Sequence, residues 1–286
     1  MDIDQARTFL VIATQGSFQD ASKQLHLTQS TISARIRNLE DELGARLFTR
    51  NRSGATLTPA GQRFLTYAKR LVLTAEQAHD EVGLPERYRA CIRIGGRIAM
   101  WEGILPQWVG WMRQRSPDVV IRSSIGFEND LMAHLEEGSI DMGLMYTPSH
   151  SPGLVVEHLF DETLVLVSTN PDDTAPGDDY IYIEWGQNFY SQHAQHYPSF
   201  ERPSQVANIG WLGIQLMLHN GGSCFLPIRI ASPFIESGQL HRVISSPEYF
   251  LPAYVVYSRE SDNPILEQAL EGLRKLKDSH DYDNFI

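Results

Sequence analysis

The segment from Phe18 to Thr58 constrains this chain more than any other, because its caps and apolar spacings dictate a compact run of helices closed by a basic hairpin. A preceding helix is expected from Asp4 to Gln15, burying Phe9, Ile12 and Ala13 and stopping at Gly16. Ser17 then caps a second helix, with Asp20 three residues on, close to a capping box. Phe18, Ala21 and Leu25 form its apolar face, and His26 and Leu27 make the turn. Thr28 caps a third helix that buries Ile32, Ile36, Leu39 and Leu43 and ends before Gly44.

The exposed positions of that third helix carry the chemistry. Gln29, Ser30, Thr31, Ser33 and Arg35 crowd its first two turns, where the helix terminus itself favours phosphate. Gln pairs bidentately with adenine and Arg with guanine, and Ser or Thr hydroxyls reach bases or backbone. Glu40, Asp41 and Glu42 are held back at the far end, the polarity expected when the N-terminal end enters a major groove. Arg37 adds a further cation on the same helix, and Arg50, Arg52 and the Ser53-Gly54 turn suit a wing lying on the phosphate backbone. A small helical domain with an incidentally basic surface is the plainer alternative for any one of these charges.

Charge supports one DNA site and no second. Residues 1–70 hold ten Lys or Arg against six Asp or Glu, a net +4, while the whole chain is −11, so residues 71–286 carry −15. Phosphate needs local positive charge, and the acidic remainder repels it. Two distant cysteines, Cys91 and Cys224, argue against a disulfide framework and suit a reducing cytoplasm. The acidic, helically periodic start differs from a signal peptide, and no apolar run approaches the ~20 residues that span a bilayer. A soluble, intracellular chain is expected.

Thr58-Pro59 starts a long helix. Along it Phe64, Ala68, Leu71, Ala75, Ala78 and Val82 alternate steps of four and three, a coiled-coil spacing with an Ala-rich seam. A single helix packed on its own domain is the alternative. Gly83-Leu84-Pro85 ends it. From Cys91 onward, short apolar runs alternate with helical stretches. CIRIGG, VVIRSSIG, DMGLMY, LVLVST, YIYIEW, SCFLP and PAYVVYS read as strands. Trp101–Arg115, Asn129–Glu137, Trp211–His219 and Pro264–Lys277 read as helices. Such alternation implies an α/β domain with helices on both faces of its sheets.

The segments FLVIATQGSFQDASKQLHLTQSTISARIRNLEDELGARLFTR and LTPAGQRFL closely resemble the winged helix-turn-helix of LysR-type transcriptional regulators. The likeness covers residues 1–70 and continues more weakly through IRIG, ILPQW, LEEGSIDMGLMY and GGSCFLP. Within it Ser30 follows Gln29, and Ala34 stands where a basic residue is common. The resemblance implies a winged helix-turn-helix over 1–58 and a dimerising linker helix and hinge over 59–87. It further implies an effector domain over 88–286 built as two α/β subdomains like those of periplasmic binding proteins. Subdomain one would span 90–162 plus 261–286 and subdomain two 163–260, with chain crossings near Leu164–Thr169 and Val255–Arg259.

By the same resemblance, DNA contacts fall to Thr28, Gln29, Ser30, Thr31, Ser33, Arg35, Arg37, Arg50 and Arg52, with base contacts by Gln29 and Ser33. A ligand cleft would be lined by loops after strands and by helix starts. That selects Gly96-Arg97-Ile98-Ala99, Phe127-Glu128-Asn129, Tyr146-Thr147, Glu184-Trp185 and Gly222-Ser223. Ala99 falls where the family often has a Ser or Thr that holds an effector's carboxylate. Arg97 is either a substitute anion clamp or a structural arginine. Trp101 and Trp185 are either an aromatic wall or core residues. The implied partners are double-stranded promoter DNA, an anionic or aromatic small-molecule effector, further copies forming a dimer or tetramer, and RNA polymerase, in a bacterial cytoplasm at the nucleoid. No cofactor or metal is called for.

Enzyme signatures are absent: there is no G-x-S-x-G, Walker loop, G-x-G-x-x-G after a strand, or H-E-x-x-H. His193 and His196, in WGQNFYSQHAQHYPSF, read as part of a polar loop rather than a metal site. Cys91 and Cys224 read as buried apolar thiols. Two other classes stay open beside a ligand-responsive regulator: an architectural DNA binder without an effector, and a non-enzymatic ligand-binding protein.

Overall fold

The computed structural model describes residues 1–51, 54–198 and 203–279, which divide into two compact units, Met1–Arg87 with Glu137–Ser139, and Tyr88–Glu136 with Ile140–Ile286. In the first unit the elements run α1 (Ile3–Gln15), α2 (Phe18–Gln24), α3 (Gln29–Leu43), β1 (Phe48–Asn51), β2 (Gly54–Leu57) and α4 (Pro59–Val82). Asp2 caps α1 in a reciprocal box with Gln5, so the helix begins at Ile3, one residue before the Asp4 start expected. Ser17, Thr28 and Thr58 cap α2, α3 and α4, and Gly16 and Gly44 close α1 and α3 in the left-handed conformation.

The core joins Phe9, Ile12, Phe18, Ile32, Ile36, Leu39, Leu47 and Phe48, and the first four turns of α4 add Phe64, Ala68 and Val72. Ala13 and Leu25 are only half-buried, and Leu43 is exposed, because the last turn of α3 runs past the core. Two close approaches lock the unit. A β-carbon on Gly54 would stand 2.3 Å from the Gly16 carbonyl oxygen, and one on Gly61 would stand 2.2 Å from that of Leu47. Glycine alone lets the hairpin press on the end of α1 and lets α4 start against the strand.

The second unit contains β3 (Ala90–Gly96), α5 (Ile98–Trp101), α6 (Ile104–Arg115), β4 (Val119–Ile125), α7 (Glu128–Glu137), β5 (Met142–Met145) and β6 (Leu154–Ser168). It continues with β7 (Ile181–Ile183), α8 (Gln187–His196), β8 (Gln205–Ala207), α9 (Gly210–Asn220) and β9 (Ser223–Pro227). It ends with α10 (Ile228–Glu236), β10 (His241–Arg242), β11 (Tyr249–Ser258) and α11 (Leu266–Ser279). One sheet has the order β10-β6-β11-β5-β3-β4 with β9 also on β6, and β7 and β8 form a parallel pair.

The long antiparallel partners β6 and β11 carry the chain between two lobes. The lobe-one end of β11 joins β5 through Tyr254–Tyr257, whereas Leu164–Ser168 of β6 joins β9. The crossing therefore lies where Asp161, Glu162 and Thr163 face Pro252, Leu251 and Phe250. The return crossing precedes the Val255–Arg259 expected from sequence, because those residues already belong to the lobe-one ladder. In lobe one α6 and α11 cover one sheet face through Trp108, Met112, Ala269 and Leu273, while α7 covers the other through Leu131, Met132 and Leu135.

Three local expectations are corrected. The helix expected over Trp101–Arg115 breaks at Gly103, whose φ of +118° no helix admits, leaving α5 and α6. The segment expected as a polar loop around His193 and His196 is α8, held by burial of Phe189 and His193. The strand LVLVST is the second half of β6, whose first half begins at Leu154. Among the described residues, no helix is long and apolar enough to cross a membrane.

Candidate nucleic-acid interface and ligand cleft

At the start of α3 the Thr28 hydroxyl accepts from the Thr31 amide at 3.2 Å and lies 2.8 Å from both the Ser30 and Thr31 hydroxyls. Thr28, Gln29, Ser30 and Thr31 are all exposed there, at the positive end of a helix dipole. Ser33 and Arg37 follow Gln29 at steps of four and so share its face. Arg37 is exposed and its Nε donates to the Ser33 carbonyl at 3.3 Å. Arg35 does not join them. Two residues beyond Ser33, it is turned by about 200° around the helix. Its guanidinium donates to Asp4 at 2.8 Å and to Thr8 at 3.3 Å, tying α3 to α1.

Glu40 is likewise structural. It is buried, accepts from the Leu47 and Phe48 amides at 2.8 and 3.3 Å, and pairs with Arg46 at 2.6 Å. The Arg50 guanidinium stacks 3.6 Å above the Phe18 ring, on an exposed strand of the hairpin. Arg52 lies outside the described residues.

The stripe expected along α4 divides between two faces. Ala68 is fully buried in its own domain beside Val72, whereas Phe64, buried in the same core, leaves an edge on the groove described next. Leu71, Ala75 and Ala78 instead line an open apolar groove with Tyr67, Met1, Ile3 and Leu43. Val82, 88% exposed, lies past it. Tyr67 was missed in the sequence, although an exposed aromatic three residues after Phe64 marks the adjacent face.

In the second unit, polar groups converge on the strand crossing. Glu162 on β6 is 1% exposed and accepts from the Tyr146 hydroxyl at 3.0 Å and from Arg229 Nε at 3.1 and 3.0 Å. Arg229, in the first turn of α10, also donates to the carbonyl oxygens of Glu102 and Ala99, the latter at 2.8 Å. Burial and Glu162 push the Tyr146 hydroxyl well above its usual range, so it remains a donor. Burial also raises Glu102, with Arg229 opposing and Glu162 reinforcing the shift. Sequence reasoning missed Glu162 and Arg229, and no local signal marks either: Glu162 is one of two adjacent acids, beside Asp161.

Arg97, 5% exposed, reaches from the end of β3 to both lobes. It pairs with Glu128 at 3.2 Å, donates to the Asn208 carbonyl at 3.2 Å and lies 4.7 Å above the Phe127 ring. Its Nε is buried without a hydrogen-bond partner. Ile98 is half-buried, Phe127 and Asn129 are exposed, and Thr147 lies beside Gly186. Ala99 is 2% exposed and offers only its carbonyl, to Arg229. Trp185 is a core residue and Trp101 is half-buried against the core: their indoles donate to the carbonyls of Phe225 and Ser124 at 2.8 and 3.0 Å, and Trp185 packs edge-on to Tyr146. Glu184 is exposed beside Trp185.

Gly222 and Ser223 lie elsewhere. Ser223 pairs with Ser168, six residues along β6 from Glu162, or roughly 20 Å at the strand rise. The loop before β9 therefore faces away from the crossing. Cys91 and Cys224 are buried, and burial pushes the Cys224 thiol above its usual range. No cluster of three or more potential metal ligands occurs among the described residues.

Residues 3–62 match the bacterial regulatory helix-turn-helix protein, lysR family, and residues 86–175 match the LysR substrate binding domain. The HTH-type transcriptional regulator HdfR of Yersinia pestis (strain Pestoides F) is 31% identical over 94% of this chain and 95% of its own length. This chain belongs to the LysR family. It is a DNA-binding transcriptional regulator with an effector-binding domain. In fold, this LysR-family regulator is similar to CbnR, solved complexed with its target DNA, at a TM-score of 0.70 and 19% identity over 96% of this chain and 99% of that one. It is also similar to LysG from Corynebacterium glutamicum, solved with bound effector Arg, at a TM-score of 0.58 and 18% identity over 98% and 99% of the two chains.

Proposed function

We propose that this LysR-family regulator reads an interrupted-dyad operator in promoter DNA as a dimer or tetramer, and that an anionic small molecule entering the inter-lobe cleft changes how the copies are arranged. Gln29 and Ser33 read bases, Thr28, Ser30, Thr31 and Arg37 flank them, and Arg50 and Arg52 hold backbone. The groove on α4 takes a second copy, which supplies the second reading helix. Residues 1–58, 59–87 and 88–286 act as reader, connector and sensor, in the cytoplasm and at the nucleoid, with RNA polymerase as the downstream partner.

One observation carries the ligand class. Arg97 bridges both lobes while, among the described residues, its charge is met by the Glu128 carboxylate across a cleft mouth that also holds Phe127. A ligand carboxylate that displaces Glu128 gains a bidentate contact and leaves the lobes joined differently. It shifts the protein only through that differential contact, since equal affinity for both arrangements changes nothing.

Genome-wide mapping of bound DNA, followed by footprinting of the recovered fragments with and without carboxylate metabolites of the neighbouring operons, tests this. A dyad footprint that changes length with one carboxylate, and that no longer responds in Arg97→Gln, is expected. Binding with no sequence preference over random DNA would overturn the proposal.

A further inference from the structure

Lobe two holds a second cavity, of about 660 Å³, walled by α8 on one side and by the β7–β8 pair on the other. Its chemistry follows from two periodicities. Along α8, Tyr190, His193, Ala194 and the following Tyr197 fall at steps of three, one and three, and so share one helical face. Along β7, Tyr182 and the next alternate residue, Glu184, point to the same side, opposite buried Ile181 and Ile183. The small Ala194 side chain leaves room between the rings.

Three of the rings, Tyr182, His193 and Tyr197, are in contact. Tyr182 meets His193 edge-on at 5.5 Å, and Tyr197 meets it at 5.1 Å. The Tyr197 hydroxyl is fixed by Ser246 at 2.8 Å, while Tyr190 is 57% exposed at the opening. Burial holds His193 down to about 4, so the imidazole is uncharged near neutrality. Tyr182 is pushed up to about 12 by burial, with Tyr190 and Glu184 close enough to add to the shift. No Lys or Arg is among the described lining residues.

From this arrangement we infer that the lobe-two cavity is a binding site for a small organic ammonium ion, held by the π-faces of Tyr182, Tyr190 and Tyr197 and by the Glu184 carboxylate. Among the described residues, an anion meets electron-rich rings and a carboxylate there and no cation. A neutral ligand gains apolar contact alone, whereas an ammonium ion gains the ring quadrupoles and the ion pair as well. The inference does not rest on an anionic effector at Arg97.

Calorimetric titration of the full-length protein with choline, and with its uncharged isostere 3,3-dimethylbutan-1-ol, tests it. Saturable choline binding is expected, with the isostere at least tenfold weaker. Tyr190→Ala and Glu184→Gln, both at exposed positions, should each weaken choline three- to tenfold. Equal affinity for choline and the isostere would reduce the site to an apolar pocket and overturn the assignment. So would no choline binding, or unchanged affinity in both variants. The titration also differs from the operator experiment in its readout, so either proposal can fail while the other stands.

Discussion

The Arg229 guanidinium and the Glu162 carboxylate meet at the one place where both chain crossings run side by side, with Nε 3.1 and 3.0 Å from the two oxygens. Both groups are buried, so each is stable only because the other is present. Arg229→Met should destabilise the effector domain by about 3–5 kcal/mol, and the double change Glu162→Gln with Arg229→Met should recover much of that. Urea unfolding followed by tryptophan fluorescence measures it; additive losses would show that the pair does not act as a unit.

Gln29→Ala or Ser33→Ala should erase the preference for operator over random DNA while largely keeping non-specific binding. Arg35→Ala should behave differently, because its bonds run to Asp4 and Thr8. A stability loss of about 1–2 kcal/mol with retained discrimination is expected for it. Competition gel shifts and thermal unfolding separate the two patterns. Loss of discrimination in Arg35→Ala without a stability change would move that residue to the bases.

Arg50→Ala should weaken operator and random DNA alike and lower the slope of log affinity against log salt by about one. The stack on Phe18 pre-orients this guanidinium, so Arg50→Lys should rescue only part of the effect. An unchanged slope removes Arg50 from the phosphates.

Leu71→Arg should shift the protein toward smaller species without unfolding it, since Leu71 lines the open groove while Ala68 lies in the domain core. Sedimentation velocity at micromolar concentration reads the change. Ala68→Arg should instead unfold the N-terminal unit. If Leu71→Arg leaves the oligomer intact, copies meet on another surface.

His193 makes stability depend on acidity. Its folded value of about 4 lies below the ordinary 6.5, so the unfolded chain binds the extra proton first. The stabilisation is whole above about pH 6.5 and is lost as pH falls toward 4, by on the order of 2–3 kcal/mol. The groups around the ring are Tyr180, Tyr182, Tyr197 and His196, and none of the tyrosines titrates in that window. Chemical unfolding from pH 7 to pH 4 should show a shallower decline in His193→Phe than in the parent.

The first unit was readable because its signals are local. Ser17, Thr28 and Thr58 sit at caps, Gly16 and Gly44 at helix ends, and the apolar steps between them mark the buried face. Spacing failed on α4 for a geometric reason. A 3.5-residue pattern does not say which of two neighbouring faces turns inward, and Ala68 went to the core while Tyr67 went to the groove. Around the cleft the failure was one of distance, since Glu162 and Arg229 are 67 residues apart and neither has a local mark. α8 was hidden by its composition: its buried stripe is Phe189 and a histidine, set among Gln, Asn and Ser.

With 24 residues, α4 is about 36 Å long, and Phe64, Ala68 and Val72 weld its first turns to the same core as α3. Such a shaft behaves as a lever with no joint at its working end. Tilting its far end by about 5° carries the reading helix through roughly 3 Å, close to the ~3.4 Å rise of one base pair. If two copies pair through the α4 groove as proposed, a small angular change between their shafts would amount to a one-step change in half-site spacing, so that the operator would be retuned by leverage.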